Sequence, residues 1–455
     1  MPHTSLRVTF WTGVGSVTGA NFLLEGGENR VLVDCGMTQG GRDEFDINAA
    51  PFGYDPKSAD FLFITHAHMD HIGRIPKLIR DGFRGTIYSH PATKELSEVM
   101  LPDALGIMTG EAKRLGKEPY FSAADIEAAL SRWQTIPYYE PREIAGYTVI
   151  LKDAGHVLGS TMYFFERDGK QIVFTGDLGN SPSPLLRDTD SVNGADYLVM
   201  ESVYGDRNHE GKDERISKLE RIINDTVRQG GALVIPAFSL ERTQMILYEL
   251  NDLIAAKKIP SVPVFVDSPL ATKVTEIYKR YENLFNDQVK AEIAQGDDIF
   301  DFPRLSFTLR REESEQIEKT PNPKIILAGS GMSMGGRIQS HEAAHVEDPQ
   351  STILLVGYQT AGSLGRHLQD GLKEVKIQGR MMKVKARVEM IEGFSSHKDS
   401  DHLVEFVDQG RSKLKKVFVV MGEPKSSLFL AQKLRDNVGV DAIFPQAGKA
   451  YEIGM

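Results

Sequence analysis

Four side chains able to bind a metal ion lie within six residues in Thr65-His66-Ala67-His68-Met69-Asp70-His71. Imidazole and carboxylate are the donors that Zn²⁺ takes in catalytic sites, whereas closed structural sites rely mainly on thiolates. The single cysteine, Cys35, excludes a thiolate cage and an intrachain disulfide. An apolar run, ADFLFI, leads into the cluster and predicts a strand ending at Thr65. On an extended segment His66 and His68 point the same way. A turn into a helix then brings Asp70 and His71 round to a neighbouring point, a geometry that suits two ions better than one. A histidine-rich surface turn is the plain alternative, and the spacing behind a strand weighs against it.

Two distant positions complete the set. His156 sits in DAGHVLGS, a glycine-flanked turn between strands, and Asp177 in VFTGDLGN, at a strand end before a glycine loop. They supply a third histidine for one ion and a carboxylate able to bridge both. Asp34 ends the strand VLVDCG and reads as an outer carboxylate that orients a ligand histidine.

The elements that must position these groups fall into two patterns. At 455 residues the chain is long enough for two large domains or three ordinary ones. Residues 1–205 hold many short strands and few helices. LRVTFWTG, ANFLLEGG and NRVLVDCG come early, and YTVILKDAG, STMYFFERDG, KQIVFTGD and ADYLVMES late. Helical patterning fills 93–133, with Ser122 and Asp125 as a capping box. Two layered sheets with helices outside fit this order. From about 206 strands and helices alternate strictly, and the strands ALVIPAFS, VPVFVDSP, KIILAGSG and TILLVGYQ are wholly apolar. That is the mark of a parallel sheet covered on both faces. We take 206–379 as this domain.

After it, RMMKVKARVEMIEGF alternates with period two. Val384, Ala386, Val388 and Met390 share one face, and Lys383, Lys385, Arg387 and Glu389 the other. This predicts a strand returning to the first type of sheet, so that 380–455 completes the domain begun by 1–205. The architecture expected is an α/β domain inserted into a domain built from both ends of the chain.

Composition narrows the function. Lys and Arg number 53 against 63 Asp and Glu, a net charge of −10, with 41% apolar residues. That balance suits a soluble globular protein and argues against a broad DNA-coating surface, though it leaves a locally basic groove open. No apolar run approaches membrane-spanning length. The opening MPHTSLRVTFW lacks the apolar stretch of a signal peptide. A cytoplasmic location without membrane contact is expected.

At the metal-cluster residues the sequence resembles the metallo-β-lactamase superfamily, whose signature is HxHxDH. His66, His68, Asp70 and His71 match it, with Asp34, His156 and Asp177 at the other core motifs. Within that superfamily nearly the whole chain resembles the β-CASP nucleases. The likeness is greatest to their RNA-cleaving branch, which includes the cleavage-and-polyadenylation endonuclease. Glu201 in MESVYGDRNH matches the acidic motif A, and His397 in GFSSHKD matches motif B. GSGMSMGGR and GYQTAGSLGR resemble the loops of the inserted domain. The resemblance implies an αββα metallo-β-lactamase sandwich with an inserted parallel α/β β-CASP domain. It also implies two Zn²⁺ ions: one held by His66, His68, His156 and Asp177, the other by Asp70, His71 and Asp177. His397 would donate a proton or hydrogen bond to the phosphate, oriented by Glu201. Met421 departs from the pattern. It stands where the branch has a histidine that ligates the second ion, and a thioether suits Zn²⁺ poorly. The DNA-cutting branch carries an apolar residue there.

The function implied is metal-dependent hydrolysis of phosphodiester bonds in single-stranded RNA. Arg366 and Ser395 are candidate phosphate ligands, because ligands of parallel sheets lie at the C-terminal strand ends. The Lys383–Lys385–Arg387 face is a further candidate guide for a nucleic-acid backbone. Three alternatives stand beside this reading: a single-stranded DNA nuclease of the same family, a small-molecule hydrolase such as a thioesterase or lactonase, and a weakened RNA-binding relative. A small substrate has no need of a second domain, and Met421 alone supports a weakened relative. His90, His209, His341, His345, His367 and His402 carry no assigned role and are expected mostly in solvent. A homodimer is common among such proteins, and nothing in the sequence marks one.

Overall fold

The computed structural model describes residues 6–26, 29–40, 43–360 and 362–454. The chain divides into two compact units, Met1–Asn208 with His397–Met455, and His209–Ser396.

The first unit carries two seven-stranded sheets. One runs in the order Ala450–Ile453, Leu6–Thr12, Asn21–Gly26, Asn29–Val33, Phe61–Phe63, Thr86–Ser89 and Trp133–Thr135. The other runs Ala442–Ile443, Lys416–Val419, Tyr197–Met200, Lys170–Phe174, Thr161–Arg167, Tyr147–Asp153 and Arg142–Ile144. Aromatic rings join them face to face: Phe10 and Phe418 centroids lie 5.2 Å apart, and Phe63 and Phe165 meet edge-on at 5.0 Å. The run Met162-Tyr163-Phe164-Phe165 shows how period two serves both sides. Tyr163 and Phe165 turn to Phe63. Met162 and Phe164 turn the other way, into a cluster with Leu403, Phe406, Leu430 and Leu434 of the helices Ser400–Gly410 and Pro424–Asn437. With both faces covered, the strand has no polar side, so it reads as a continuous apolar run. The predicted capping box is present, the Ser122 N–H donating to Asp125 Oδ2 at 2.8 Å. The strand Ala450–Ile453, which pairs antiparallel with Leu6–Thr12, escaped the sequence reading because it is short and half polar.

The second unit is the expected parallel α/β layer. Its six-stranded sheet runs Leu305–Phe307, Val264–Asp267, Lys324–Ala328, Ala232–Pro236, Thr352–Leu355 and Arg387–Met390, every pair parallel. The boundary expected at 379 is corrected here. RMMKVKARVEM does not return to the first unit's sheets as one strand. Arg380–Lys383 forms a hairpin with Glu374–Ile377, and Arg387–Met390 joins Thr352–Leu355. The chain kinks between them, where Lys385 and Ala386 N–H groups both donate to the Val346 carbonyl at 2.9 Å. The predicted apolar face is real, since Val384, Ala386, Val388 and Met390 pack with Ile353, Leu355 and Leu368, but the core it meets belongs to this unit. Arg387 on the other face is engaged internally. It donates to the hydroxyls of Thr352 at 2.9 Å and Thr226 at 3.1 Å, so it is no free guide for a phosphate backbone.

Several histidines expected in solvent are buried. His90 accepts the Ala92 N–H at 3.2 Å and stacks on Tyr138. His341 lies between Asp267 (Nε2 to Oδ2, 2.7 Å) and Glu318 (Nδ1 to Oε1, 2.6 Å), and His345 Nε2 is 3.0 Å from Glu318. Asp267, buried at the end of Val264–Asp267, also accepts from Arg337 at 2.6 Å and Ser314 at 2.5 Å. This node ties one strand end to two helices, Arg311–Lys319 and Ile338–His345.

Removing the Asp267 carboxylate leaves buried donors unpaired, so Asp267→Ala should destabilise the protein by about 3–5 kcal/mol in denaturant titrations. Burial pulls His341 down, but hydrogen bonds to Asp267 and Glu318 outweigh it and hold the imidazole above its ordinary 6.5. Burial pushes Asp267 up, yet donation from His341, Ser314, Thr308 and Arg337 holds it below its ordinary 3.8. A raised histidine contributes stability that is complete below 6.5 and fades as pH rises through its folded value. A depressed carboxylate contributes stability that is present above 3.8 and fades as pH falls. Between about pH 6 and about pH 9 the wild type should therefore lose more of its urea midpoint than His341→Gln.

Candidate metal centre

The HxHxDH segment follows the strand Phe61–Phe63 and is pinned at Thr65. The Thr65 N–H donates to Asp34 Oδ1 and its hydroxyl to Asp34 Oδ2, both at 2.8 Å. His68 then enters the single-turn helix Met69–Ile72. Backbone bonds hang that turn on the neighbouring chain: Ala20 N–H to Asp70 O at 2.9 Å, Cys35 N–H to His71 O at 2.8 Å, Met37 N–H to Met69 O at 3.0 Å. The approach requires glycine at 36, where a Cβ would sit 1.5 Å from the Asp70 carbonyl oxygen.

Three histidines meet at one point. His66 Nε2 and His156 Nε2 lie 3.1 and 3.2 Å from His68 Nδ1. Asp177 Oδ2 is 3.5 Å from His66 Nε2, 3.6 Å from His156 Nε2 and 3.4 Å from His71 Nε2. Asp70 Oδ2 stands 3.8 Å from His71 Nε2. Among the described residues the potential ligands thus form two groups sharing Asp177: His66, His68 and His156 on one side, Asp70 and His71 on the other. The third such group is Asp177, Glu201 and His397.

The donors suit cations. His71 Nδ1 is 2.8 Å from Asp34 Oδ2, which commits that nitrogen to donation and leaves Nε2 as the lone-pair face. His71 Nε2 and Asp177 Oδ1 are buried with no hydrogen-bond partner. Burial lowers the His71 pKa, yet the carboxylates of Asp177, Asp34 and Asp70 drive it well above the ordinary value. The field there calls for positive charge, as a proton or a metal ion. His66 is held well below its ordinary value by burial and then by the charge of His71, so it stays a neutral donor.

Glu201 and His397 adjoin this centre. Glu201 Oε1 accepts the Leu178 N–H at 2.6 Å and lies 3.1 Å from His397 Nδ1. His397 bridges to Gly179, whose own backbone lies so close that a Cβ would fall 1.9 Å from the Gly155 carbonyl. Burial lowers the His397 pKa, but Glu201, Asp177 and Asp70 outweigh it and raise it to about 9. Met421 is buried in a left-handed conformation, its N–H donating to the Gly13 carbonyl at 2.7 Å. It shares a small crevice with Asp34, His71, Gly176 and Glu201.

The sequence-predicted residues His66, His68, Asp70, His71, His156, Asp177, Asp34, Glu201 and His397 are therefore brought together. Arg366 and Ser395 lie in the other unit. Arg366 Nε donates to Asp370 at 2.9 Å, and Ser395 is buried at the end of a short 3₁₀ turn. Ala361, within GYQTAGSLGR, lies outside the described residues. Sequence reasoning passed over Thr65, although it directly precedes the motif. It also passed over Lys398, whose adjacency to His397 carried no signal of its own.

Three family models match the chain: the metallo-beta-lactamase superfamily over residues 15–129, the Beta-Casp domain over 243–368, and the Zn-dependent metallo-hydrolase RNA specificity domain over 381–445. Ribonuclease TTHA0252 of Thermus thermophilus is 37% identical, across 94% of this chain and 96% of that protein. An RNase J-like protein of Methanocaldococcus jannaschii is 31% identical across 94% of each. Transcription termination factor FttA of Methanosarcina mazei is 31% identical across 96% of this chain and 70% of its own length. A crystal structure of a protein of unknown function from Enterococcus faecalis shares the fold, with a TM-score of 0.58 at 12% identity over 99% of this chain and all of that one. Metallo-hydrolase models thus match both ends of the chain and a β-CASP model its middle. The chain belongs to the β-CASP family of the metallo-β-lactamase superfamily.

Asp34 serves the Thr65 N–H, the Thr65 hydroxyl and His71 Nδ1 in a buried place, and its loss strands three donors. Asp34→Ala should cost about 1–3 kcal/mol for each donor left unpaired, read as a lowered urea midpoint. An unchanged midpoint would mean that water replaces the carboxylate.

Proposed function

We propose that the chain is a metal-dependent ribonuclease that hydrolyses phosphodiester bonds of single-stranded RNA, with Zn²⁺ as its ion. The observation that carries this reading is Asp177 Oδ2 within 3.6 Å of three histidine nitrogens, on a family frame shared with ribonucleases. His66, His68 and His156 would hold one ion, Asp70 and His71 a second, and Asp177 both. Divalent ions bound there lower the pKa of water and neutralise charge on a phosphate. The chain's own residues do the rest. Asp34 fixes the His71 ring. Glu201 accepts a hydrogen bond from His397 Nδ1–H, which orients the ring so that Nε2, when protonated, would donate to the leaving oxygen. Arg366 and Ser395 remain candidates for holding the phosphate backbone. A cytoplasmic enzyme is the fitting setting; no helix among the described residues is long and apolar enough to cross a membrane. A homodimer is part of the reading only by family habit.

End-labelled RNA and DNA of one sequence, incubated with and without chelator, test the proposal. RNA should be cut, faster than DNA, and only without chelator. His68→Ala should reduce cleavage to background while its melting curve stays cooperative. Faster cutting of DNA would move the assignment to DNA processing, and chelator-resistant cleavage would end the metal mechanism.

The two ions should differ in affinity. The first site has three imidazoles, whereas the second has only Asp70 and His71 beside the shared Asp177, with a poorly matched thioether at Met421. Metal analysis during stepwise dialysis should show one ion retained and the other lost first. Met421→His should slow the second loss, and two equally tight ions in the wild type would show that Met421 carries no weight.

A further inference from the structure

We propose that Lys398 is a positioning residue that clamps the Asp177 loop to the His397 segment, and so sets the distance between the bridging carboxylate and the proton-donating imidazole. The inference rests on the reading of this centre as a phosphodiesterase site.

Lys398 is only 5% exposed, an unusual place for an ammonium group. Its Nζ donates to the Gly179 carbonyl at 2.7 Å and to the Ser181 hydroxyl at 2.9 Å. Both partners are uncharged. The carboxylates of Asp188, Glu201, Glu405 and Asp399 act on it only at longer range, and burial pulls its pKa down to about 8. A buried cation without a contacting anion is costly, and a leucine or methionine would fill such a space at less cost. What the lysine alone supplies is a pair of directed donors aimed at one loop.

That loop is the one that carries Asp177. Leu178 N–H is held by Glu201, Leu178 O accepts the Lys398 N–H at 2.8 Å, Gly179 bridges to His397, and Gly179 O takes the ammonium. The backbone bonds would survive any substitution at 398, because every residue except proline offers an N–H. The side chain adds a second anchor two residues beyond Asp177, on the same carbonyl-bearing glycine that meets His397. Without it the loop keeps its backbone bonds, including Gly179 N–H to the Ala154 carbonyl at 2.8 Å, but loses its link to the Lys398 side chain, and Asp177 Oδ2 gains room to shift against His397 Nδ1, now 4.0 Å away.

The test compares Lys398→Met, which keeps length and apolar volume but loses the donors, with Lys398→Arg, which keeps donors and charge. Displacements near an ångström at a reacting centre cost on the order of 100-fold. Lys398→Met should lower kcat on RNA by about that factor with KM little changed, and Lys398→Arg should recover a substantial part. A second readout is independent of turnover: the Co²⁺-substituted protein should show altered d–d bands in Lys398→Met. Ser181→Ala, which removes one acceptor and leaves the charge in place, should give a smaller change of the same kind. Wild-type kcat and an unchanged Co²⁺ spectrum in folded Lys398→Met would overturn the proposal, even if its melting temperature fell. Wild-type protein inert toward RNA, with the Co²⁺ spectrum still responding to Lys398→Met, would remove the ribonuclease reading and leave the clamp standing.

Discussion

One carboxylate oxygen governs the first unit. Asp177 Oδ2 lies between 3.4 and 4.0 Å from nitrogens of His66, His71, His156 and His397, and all but the last of these rings are fully buried. Placing that many polar groups at the ends of two apolar sheets is unfavourable unless each has a partner. The surroundings meet the demand from outside inward. Asp34 takes the far nitrogen of His71, the Thr65 hydroxyl lies 3.1 Å from the far nitrogen of His66, and the near atoms are left facing one another. Convergent buried donors with their outer sides satisfied make a cation site, since a cation is the one species that improves every contact at once.

The same demand explains the backbone around the centre. Four segments far apart in the chain must come within touching distance, and side chains would keep them apart. Glycines at 36 and 179 remove the obstacle, at places where a Cβ would lie inside another residue's carbonyl. The apolar sheets provide the complementary rigidity. Rings from both inner faces interlock, so the strand ends that carry Asp34, the HxHxDH segment and Asp177 have little freedom to separate. The inserted unit repeats the scheme with different chemistry: its Asp267 is a strand-end carboxylate too, but it is saturated by Arg337, His341 and Ser314, leaving no open coordination face.

Much of this was legible in the chain itself. The metal motif, its strand and its two distant partners follow from residue types and spacing, because ligands at i and i+2 on an extended segment share a side whatever surrounds them. The inserted parallel layer follows from apolar strands alternating with helices. These are local properties, and local properties survive being read one residue at a time. The tertiary structure alone decided where the Val384–Met390 face docks, because an amphipathic stretch states that it needs a core without stating which. It decided that His90 and His341 are buried, since burial depends on partners such as Tyr138 and Asp267, far away in sequence. It also decided that Lys398 points into the loop of Asp177, because the direction of a long side chain is set by what it meets, and that was 217 to 219 residues away.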